Sequence, residues 1–197
     1  SWLTYAKAAG DGSKLLYFYA ETTTPPSPRY YGGSPAFWIG IEPSPALDLI
    51  QPIIPKYMFD EYAIWVERFN WHTGQDYQSQ HIGVKPGDKV WGSVEFENST
   101  NTYRQCAGLL NSSVKVCATM KLWSAQEIFT DAYVVLEHQP SICAQLPTSR
   151  KIIYENIKVK WESGRTDPKW TSHVKVPACN STTQILSPTK VQISWDV

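Results

Sequence analysis

The chain has no long hydrophobic run and no block of like charge. None of its 197 residues falls in an apolar stretch near the ~18 residues that span a bilayer. Lys plus Arg and Asp plus Glu count 18 each, so the formal net charge at pH 7 is zero. Such a balance lacks the basic stripe of nucleic-acid or membrane-surface binding. We expect a mature soluble chain with neither partner.

Metal-binding patterns are also missing. The four cysteines include no C-x-x-C pair, and the four histidines are scattered without ligand spacing. This spacing disfavours a structural zinc site, so we expect no metal and no cofactor.

The cysteines instead favour disulfides. Cys106 and Cys117 bracket a segment, AGLLNSSVKV, that is typical of a hairpin tip, where cross-strand neighbours can be bridged. Cys143 and Cys179 would then pair by elimination. Buried free thiols are the alternative.

Three asparagines begin N-x-Ser/Thr glycosylation sequons: Asn98, Asn111 and Asn180. Single matches arise by chance. Three of them beside four cysteines in a short chain favour a secreted, extracellular glycoprotein.

Short segments rich in Val, Ile, Tyr, Phe and Trp alternate with turn residues along the whole chain. Several segments show the two-residue period of strands. They cover residues 14–21, 36–42, 47–54, 62–69, 81–84, 89–96, 113–123, 131–138, 151–161 and 190–197. This spacing predicts an all-β, antiparallel sandwich or jelly roll with little helix, formed as one domain over residues 1–197. Only a capping-box pattern from Ser124 to Glu127 favours a turn or short helix, over residues 124–130.

Two residues that can handle protons or water lie within apolar strand segments. Gln51 is in LDLIQPII, and Glu137 is in DAYVVLEH. A carboxylate or carboxamide on a buried strand face loses solvation unless another group pairs with it. We therefore expect the two side chains to face each other across a cleft.

Four short sequence motifs contain or flank these residues. In order they are FWIGIE, LIQP, AIWVER and YVVLEH, beginning at Phe37, Leu49, Ala63 and Tyr133. In this order and strand context the chain resembles the glutamic peptidases called eqolisins. The resemblance covers most of the chain and implies a concanavalin A-like sandwich. The chain departs from the family pattern at two places. Pro52 follows the glutamine, where the family usually has Ser or Thr, and the family's early Trp-Ala/Ser-Gly motif has no clear counterpart.

The resemblance also implies roles for individual residues. Glu137 matches the general base that activates water, and Gln51 matches the glutamine that orients this water and donates to the oxyanion. Four further positions match aromatic and acidic neighbours that wall the family's cleft and contact a polypeptide substrate: Trp38, Glu42, Trp65 and Glu67. At Glu42 the family usually has Asp. A carboxylate base is suited to acidic pH, where histidine would be protonated.

Two other functions fit the same residues. A carbohydrate-binding or structural jelly roll could stack a polysaccharide on aromatic side chains such as Trp71, Tyr77, Trp91 and Trp123. A glycosidase would need two carboxylates, for which Glu67 and Glu137 are available.

Overall fold

The molecule is built almost entirely of β-strands. A computed structural model describes residues 1–44, 48–122, 126–138 and 141–197. Its fifteen strands are β1 (Trp2–Ala8), β2 (Leu15–Thr23), β3 (Ala36–Pro43), β4 (Asp48–Met58), β5 (Glu61–Asn70), β6 (Asp76–Gln78), β7 (Ile82–Val84), β8 (Lys89–Glu97), β9 (Thr102–Leu109), β10 (Lys115–Lys121), β11 (Phe129–Glu137), β12 (Lys151–Trp161), β13 (Thr171–Val174), β14 (Thr182–Ser187) and β15 (Lys190–Ser194). Within the described ranges the helical content is one three-residue 3-10 turn, Cys143–Gln145. None of the helical structure there is long and apolar enough to cross a membrane.

The strands form two antiparallel sheets. The first sheet has the order β13-β1-β11-β3-β4-β5-β6, with β7 also pairing with β5. The second sheet has the order β10-β9-β8-β2-β12-β15-β14. The predicted all-β antiparallel sandwich with little helix is confirmed.

The main core lies between the two sheets. Alternate residues of β3 and β11 face inward, and Phe37, Ile39 and Val134 are fully buried there. The intervening residues of β3 are buried as well, and so are nearly all residues of β4. Strands β3 and β4 are therefore covered on both faces. Outer-face residues of β3, β4 and the neighbouring β5 form a second, smaller apolar cluster around Trp38, Ile53 and Trp65. This outer cluster is the floor on which the candidate site is built.

Pro52 lies in a central strand, where proline is rarely found because it cannot donate to the sheet. Its ring faces the second sheet and meets Gly92 of β8. A Cβ added at Gly92 would lie 3.0 Å from the Pro52 Cβ and 2.9 Å from Ile54 Cδ1. The absence of a side chain at Gly92 therefore makes room for Pro52 in the core.

Strand β4 contains one extra residue at Pro55. Ile53 pairs with Trp38 on one side and Trp65 on the other, and the next pairs on that face are Lys56 with Ala36 and with Ala63. The register shifts by one residue against both neighbours, which defines a β-bulge. If β4 alternated regularly through this segment, Ile53 and Pro55 would share a face and Lys56 would point into the core. The bulge turns Lys56 to the outer face instead.

Both predicted disulfides are present. Cys106 and Cys117 are directly paired on β9 and β10, with Cα atoms 4.1 Å apart. Cys143 and Cys179 join the 3-10 turn to the segment before β14, with Cα atoms 5.6 Å apart.

Each of the ten predicted segments contains a strand. Five strands were not predicted: β1, β6, β9, β13 and β14. Residue Ser124 of the capping box lies outside the described residues. Residues 126–128 are not helical, and β11 begins directly after them at Phe129.

Candidate active site

A cleft of about 560 Å³ opens on the outer face of the first sheet. Strands β4, β5 and β11 contribute its polar side chains, and the loop before β3 forms part of its rim. Its lining includes Gln51, Lys56, Glu67, Glu137, Trp65 and Trp71. The structure therefore brings the two residues predicted to be catalytic into one cavity.

Glu137 is held from beneath by Trp38. The indole Nε1 of Trp38 donates a hydrogen bond to Glu137 Oε1 at 3.0 Å. Trp38 is fully buried. It therefore supports the carboxylate and does not itself offer a surface to a ligand.

The position of the Trp38 ring depends on Gly40, two residues along β3. A Cβ at Gly40 would lie 2.8 Å from Trp38 Cζ3 and 2.8 Å from the Ile50 carbonyl oxygen. The glycine of the FWIGIE motif thus makes room for the tryptophan of the same motif.

Gln51 lies on β4 directly opposite Glu67 of β5. Its Nε2 donates to Glu67 Oε2 at 3.4 Å, a long hydrogen bond. Gln51 is 5% exposed, and its Oε1 has no hydrogen-bond partner among the described residues. A buried carbonyl of this kind costs free energy unless a ligand or solvent molecule supplies the missing donor.

Glu67 is anchored by its own strand. Trp65 Nε1 donates to Glu67 Oε1 at 2.9 Å, and the Trp65 ring stacks on His81 with centroids 3.9 Å apart. Burial raises the pKa of Glu67 to about 7, and Asp76 reinforces the shift, whereas the Trp65 N–H and the Lys56 charge oppose it. Glu67 is consequently a largely neutral carboxylic acid at acidic pH.

Strand spacing sets the scale of the site. Gln51 and Glu137 lie on the two strands that flank β3. Neighbouring strands are about 4.8 Å apart, so the two strands are about 10 Å apart. The two residues are also offset along the strands: Glu137 shares its row with Ala36 and Lys56, whereas Gln51 lies two cross-strand pairs, about 13 Å, from Lys56. The strands of Glu67 and Glu137 are one strand further apart, at about 14 Å, and the two residues have the same offset along the strands.

Other cleft-lining residues were not predicted from the sequence, among them Trp2, Lys56 and His138. Trp2 packs edge-on against Trp38 with ring centroids 5.0 Å apart. The alternation of WLTYAKA could have identified the strand that carries Trp2. No pattern in the sequence identifies Lys56, because the bulge determines the face on which it lies.

His138 follows the last residue of β11. Its Nδ1 is 2.7 Å from the Gly33 carbonyl oxygen, so the hydrogen bond assigns the proton to Nδ1. Burial lowers the pKa of His138 to about 4, although the Gly33 contact opposes this effect. The histidine ties the loop before β3 to the end of the strand that carries Glu137.

Glu42 lies on the same strand and face as Trp38 but is not among the residues that line the cleft. It is 4% exposed and sits opposite Asp131 of β11. Burial raises the pKa of Glu42 to about 7, and the neighbouring Asp131 charge adds to the rise, which Lys7 partly offsets. The structure thus places Glu42 beside the site rather than in it.

The aromatic residues considered for sugar stacking do not form one surface. Trp71 lines the cleft and Tyr77 is exposed on β6 of the same sheet. Trp91 lies on β8 in the other sheet, and Trp123 lies outside the described residues.

The three sequon asparagines, Asn98, Asn111 and Asn180, are exposed and lie between strands. Among the described side chains, no group of three or more His, Cys, Asp and Glu is arranged to hold a metal ion.

No family model and no curated protein sequence matches this chain. Solved structures do match it in fold. The crystal structure of Scytalido-glutamic peptidase with a peptide-based transition state analog has a TM-score of 0.74 at 16% identity, covering 99% of this chain and 98% of that one. The structure of SCP-B, a member of the eqolisin family of peptidases, in complex with the tripeptide Ala-Ile-His has a TM-score of 0.69 at 15% identity, with the same coverage. The chain therefore has the glutamic peptidase fold over nearly its whole length.

Proposed function

We propose that this protein is a secreted acid endopeptidase in which Glu137 and Gln51 activate water for peptide-bond hydrolysis. The observation that carries the proposal is their placement. A carboxylate and a carboxamide stand on the strands flanking β3 and line one cleft, and the amide oxygen has no partner among the described residues. The fold shared with solved peptidases supports the same assignment.

Glu137 serves as the general base. It removes a proton from a water molecule as the water oxygen attacks the peptide carbonyl carbon, and it later delivers this proton to the departing amine. The hydrogen bond from Trp38 Nε1 fixes one carboxylate oxygen, so the other is free to face the water.

Gln51 stabilises the oxyanion. Its amide group is uncharged and can donate an N–H to the negative charge that develops on the carbonyl oxygen, where a second carboxylate would repel this charge. Its burial also excludes bulk water, which strengthens the hydrogen bond.

Glu67 couples this arrangement to acidic pH. With a pKa of about 7, its carboxyl group carries a proton under acidic conditions and can donate it to Gln51 Oε1. The Gln51 NH₂ group would then turn toward the cleft, where the oxyanion forms. When Glu67 is ionised it can only accept, which holds the NH₂ group on the Glu67 side as in the 3.4 Å contact.

The exterior of the molecule fits secretion. Both cysteine pairs are disulfide-bonded, and disulfides persist in oxidising compartments. The exposed sequons suit N-glycosylation in the same environment.

The two other functions have less support. Glu67 and Glu137 lie on strands about 14 Å apart and two cross-strand pairs out of line, whereas the two carboxyl groups of a glycosidase are only roughly 5 to 9.5 Å apart. A sugar-binding platform would require aromatic residues that share a face, whereas Trp71 follows β5 of the first sheet and Trp91 lies on β8 of the second.

The test is cleavage of a denatured protein substrate between pH 2 and 7. Wild type should cut it at acidic pH, and chelators and thiol reagents should leave the rate unchanged. Glu137→Gln should abolish turnover, and Gln51→Ala should lower it on the order of 10²-fold, as loss of an oxyanion donor does. Glu155→Gln, an exposed carboxyl on the second sheet, is the matched control. Absence of cleavage by wild type throughout this range contradicts the proposal.

A further inference from the structure

The cleft contains a lysine that the reaction itself does not use. Lys56 lines the cavity, is partly buried, and lies in the same cross-strand row as Glu137, with Ala36 of β3 between them. On its other side the row continues to Ala63 of β5. Two small neighbours leave the long side chain clear in a floor that is otherwise aromatic and aliphatic.

The fold makes a specific adjustment to expose this side chain. The bulge at Pro55 reverses the alternation of β4 and turns Lys56 outward. Bulges occur preferentially next to functional sites, where they re-aim a side chain. An inward Lys56 would instead carry an unpaired charge into the apolar core between the sheets, which is strongly unfavourable.

The Lys56 ammonium group has no carboxylate partner in the described part of the chain. The ion pairs found there join Lys7 to Asp131 and Arg68 to Asp48. The Lys56 Nζ lies 6.0 Å from the centre of the Trp65 ring. Its charge acts on Glu67 and on His81, and lies within the row of Glu137. Because Glu67 holds its proton up to about pH 7, it does not neutralise Lys56 under acidic conditions.

We propose that Lys56 forms an anionic subsite that selects polypeptides carrying an Asp or Glu side chain near the bond to be cut. The proposal rests on the peptidase function above and adds its substrate class. A carboxylate bound there would pair with the ammonium group above the apolar floor of the outer cluster, shielded from solvent on one side. Charge-assisted hydrogen bonds of this kind are about twice as strong as neutral ones.

Paired peptides test the subsite. Each pair differs only by Glu or Gln at one position, scanned over four residues on either side of the cleaved bond, at pH 5.5 where the Glu side chain is ionised. At one position, wild type should cleave the Glu peptide with kcat/KM about tenfold above that of the Gln peptide. Lys56→Gln should reduce this ratio to about one, Lys56→Arg should retain it, and Lys56→Glu should invert it.

Two controls separate this inference from the proposed function. Lys160→Gln, an exposed lysine on the second sheet, should leave the ratio unchanged. Tryptophan fluorescence titration of the same peptides into Glu137→Gln and into Glu137→Gln with Lys56→Gln measures binding without turnover. Tighter binding of the Glu peptide only when Lys56 is present supports the subsite even if no peptide is cut. A Glu-to-Gln ratio that Lys56→Gln leaves unchanged, or no discrimination in either assay, overturns the subsite even if cleavage occurs.

Discussion

Trp38 and Glu137 are joined by a 3.0 Å hydrogen bond although they lie 99 positions apart in the sequence and on different strands. The donor is rigid, because the indole is fully buried and Gly40 accommodates its ring. The proposed base is thus oriented by a group that belongs to the packing of the sheet.

Trp38→Phe keeps most of the ring and removes the N–H donor. Because one Glu137 oxygen then loses its fixed partner, we expect kcat to fall about tenfold while KM changes little. Steady-state kinetics on a chromogenic peptide measures both constants. Trp91→Phe, on the other sheet, is the control and should change neither. An unaltered kcat in Trp38→Phe would show that the hydrogen bond has no role in turnover.

Gly92→Ala should destabilise the fold. The new Cβ would approach Ile54 and Pro52 at 2.9 and 3.0 Å in the core between the sheets, and overpacking of this kind typically costs about 1 to 3 kcal/mol. Urea unfolding followed by tryptophan fluorescence gives the difference. At Gly83 of β7 nothing lies within 4 Å of an added Cβ, so Gly83→Ala is the matched control. Equal stabilities for the two variants would contradict the tight contact of Pro52 with Gly92.

Glu42→Gln should alter how stability depends on pH. Wild-type Glu42 has its pKa raised from 4.5 to about 7 by burial, so the folded state holds this proton more tightly than the unfolded state does. Its contribution is therefore fully present below about pH 4.5 and is lost as pH rises to about 7. The amide does not titrate. The variant should gain in melting temperature relative to wild type between pH 4.5 and 8.

The comparison must be made between variant and wild type at each pH, because other groups contribute to the wild-type profile. Glu67 adds a loss of stability in the same direction, whereas buried His138, with its pKa lowered to about 4, destabilises the fold as pH falls from 6.5. Calorimetry at several pH values measures the melting temperatures. A constant difference between Glu42→Gln and wild type across this range would show that Glu42 is not protonated in the fold.

The two disulfides should differ in their contribution to stability. Cys106–Cys117 closes 11 residues of a hairpin and Cys143–Cys179 closes 36. In the chain-entropy account, the longer loop constrains the unfolded state more, by about 1 kcal/mol. Replacing each pair by alanine and comparing free energies of unfolding tests this. Non-reducing mass spectrometry of wild type should find no free thiol.

The placement of Gln51 and Glu137 in one cleft could be predicted because each interrupts an apolar strand, and an isolated polar group at such a position requires a partner. The strand segments were predictable for a related reason: a buried face leaves a period-two pattern. Strands β6 and β13 have no buried residues, so their sequences show no such pattern. Strand β9 was hidden because small and polar side chains fill much of its inner and outer faces.

The remainder of the site depends on pairing between distant strands. Glu42 and Trp38 share a face of β3, yet only the register with β11 shows that one neighbours Asp131 and the other supports Glu137. The cleft position of Lys56 depends on a bulge that alternation cannot reveal. Counting residues along β4 assigns it to the core, and the pairing with Ala36 and Ala63 assigns it to the cleft.

Pro55 has a further consequence for comparing this chain with distant homologues. Lys56 comes five positions after Gln51 in β4. Their partners on β5, Ala63 and Glu67, are only four positions apart and span the same distance. An ungapped alignment that crosses Pro55 will therefore place every later β4 residue on the wrong side of the sheet when the other protein lacks the extra residue. Equivalent cleft positions are then found by counting cross-strand pairs, and deleting Pro55 would leave Lys56 on the same face as Gln51.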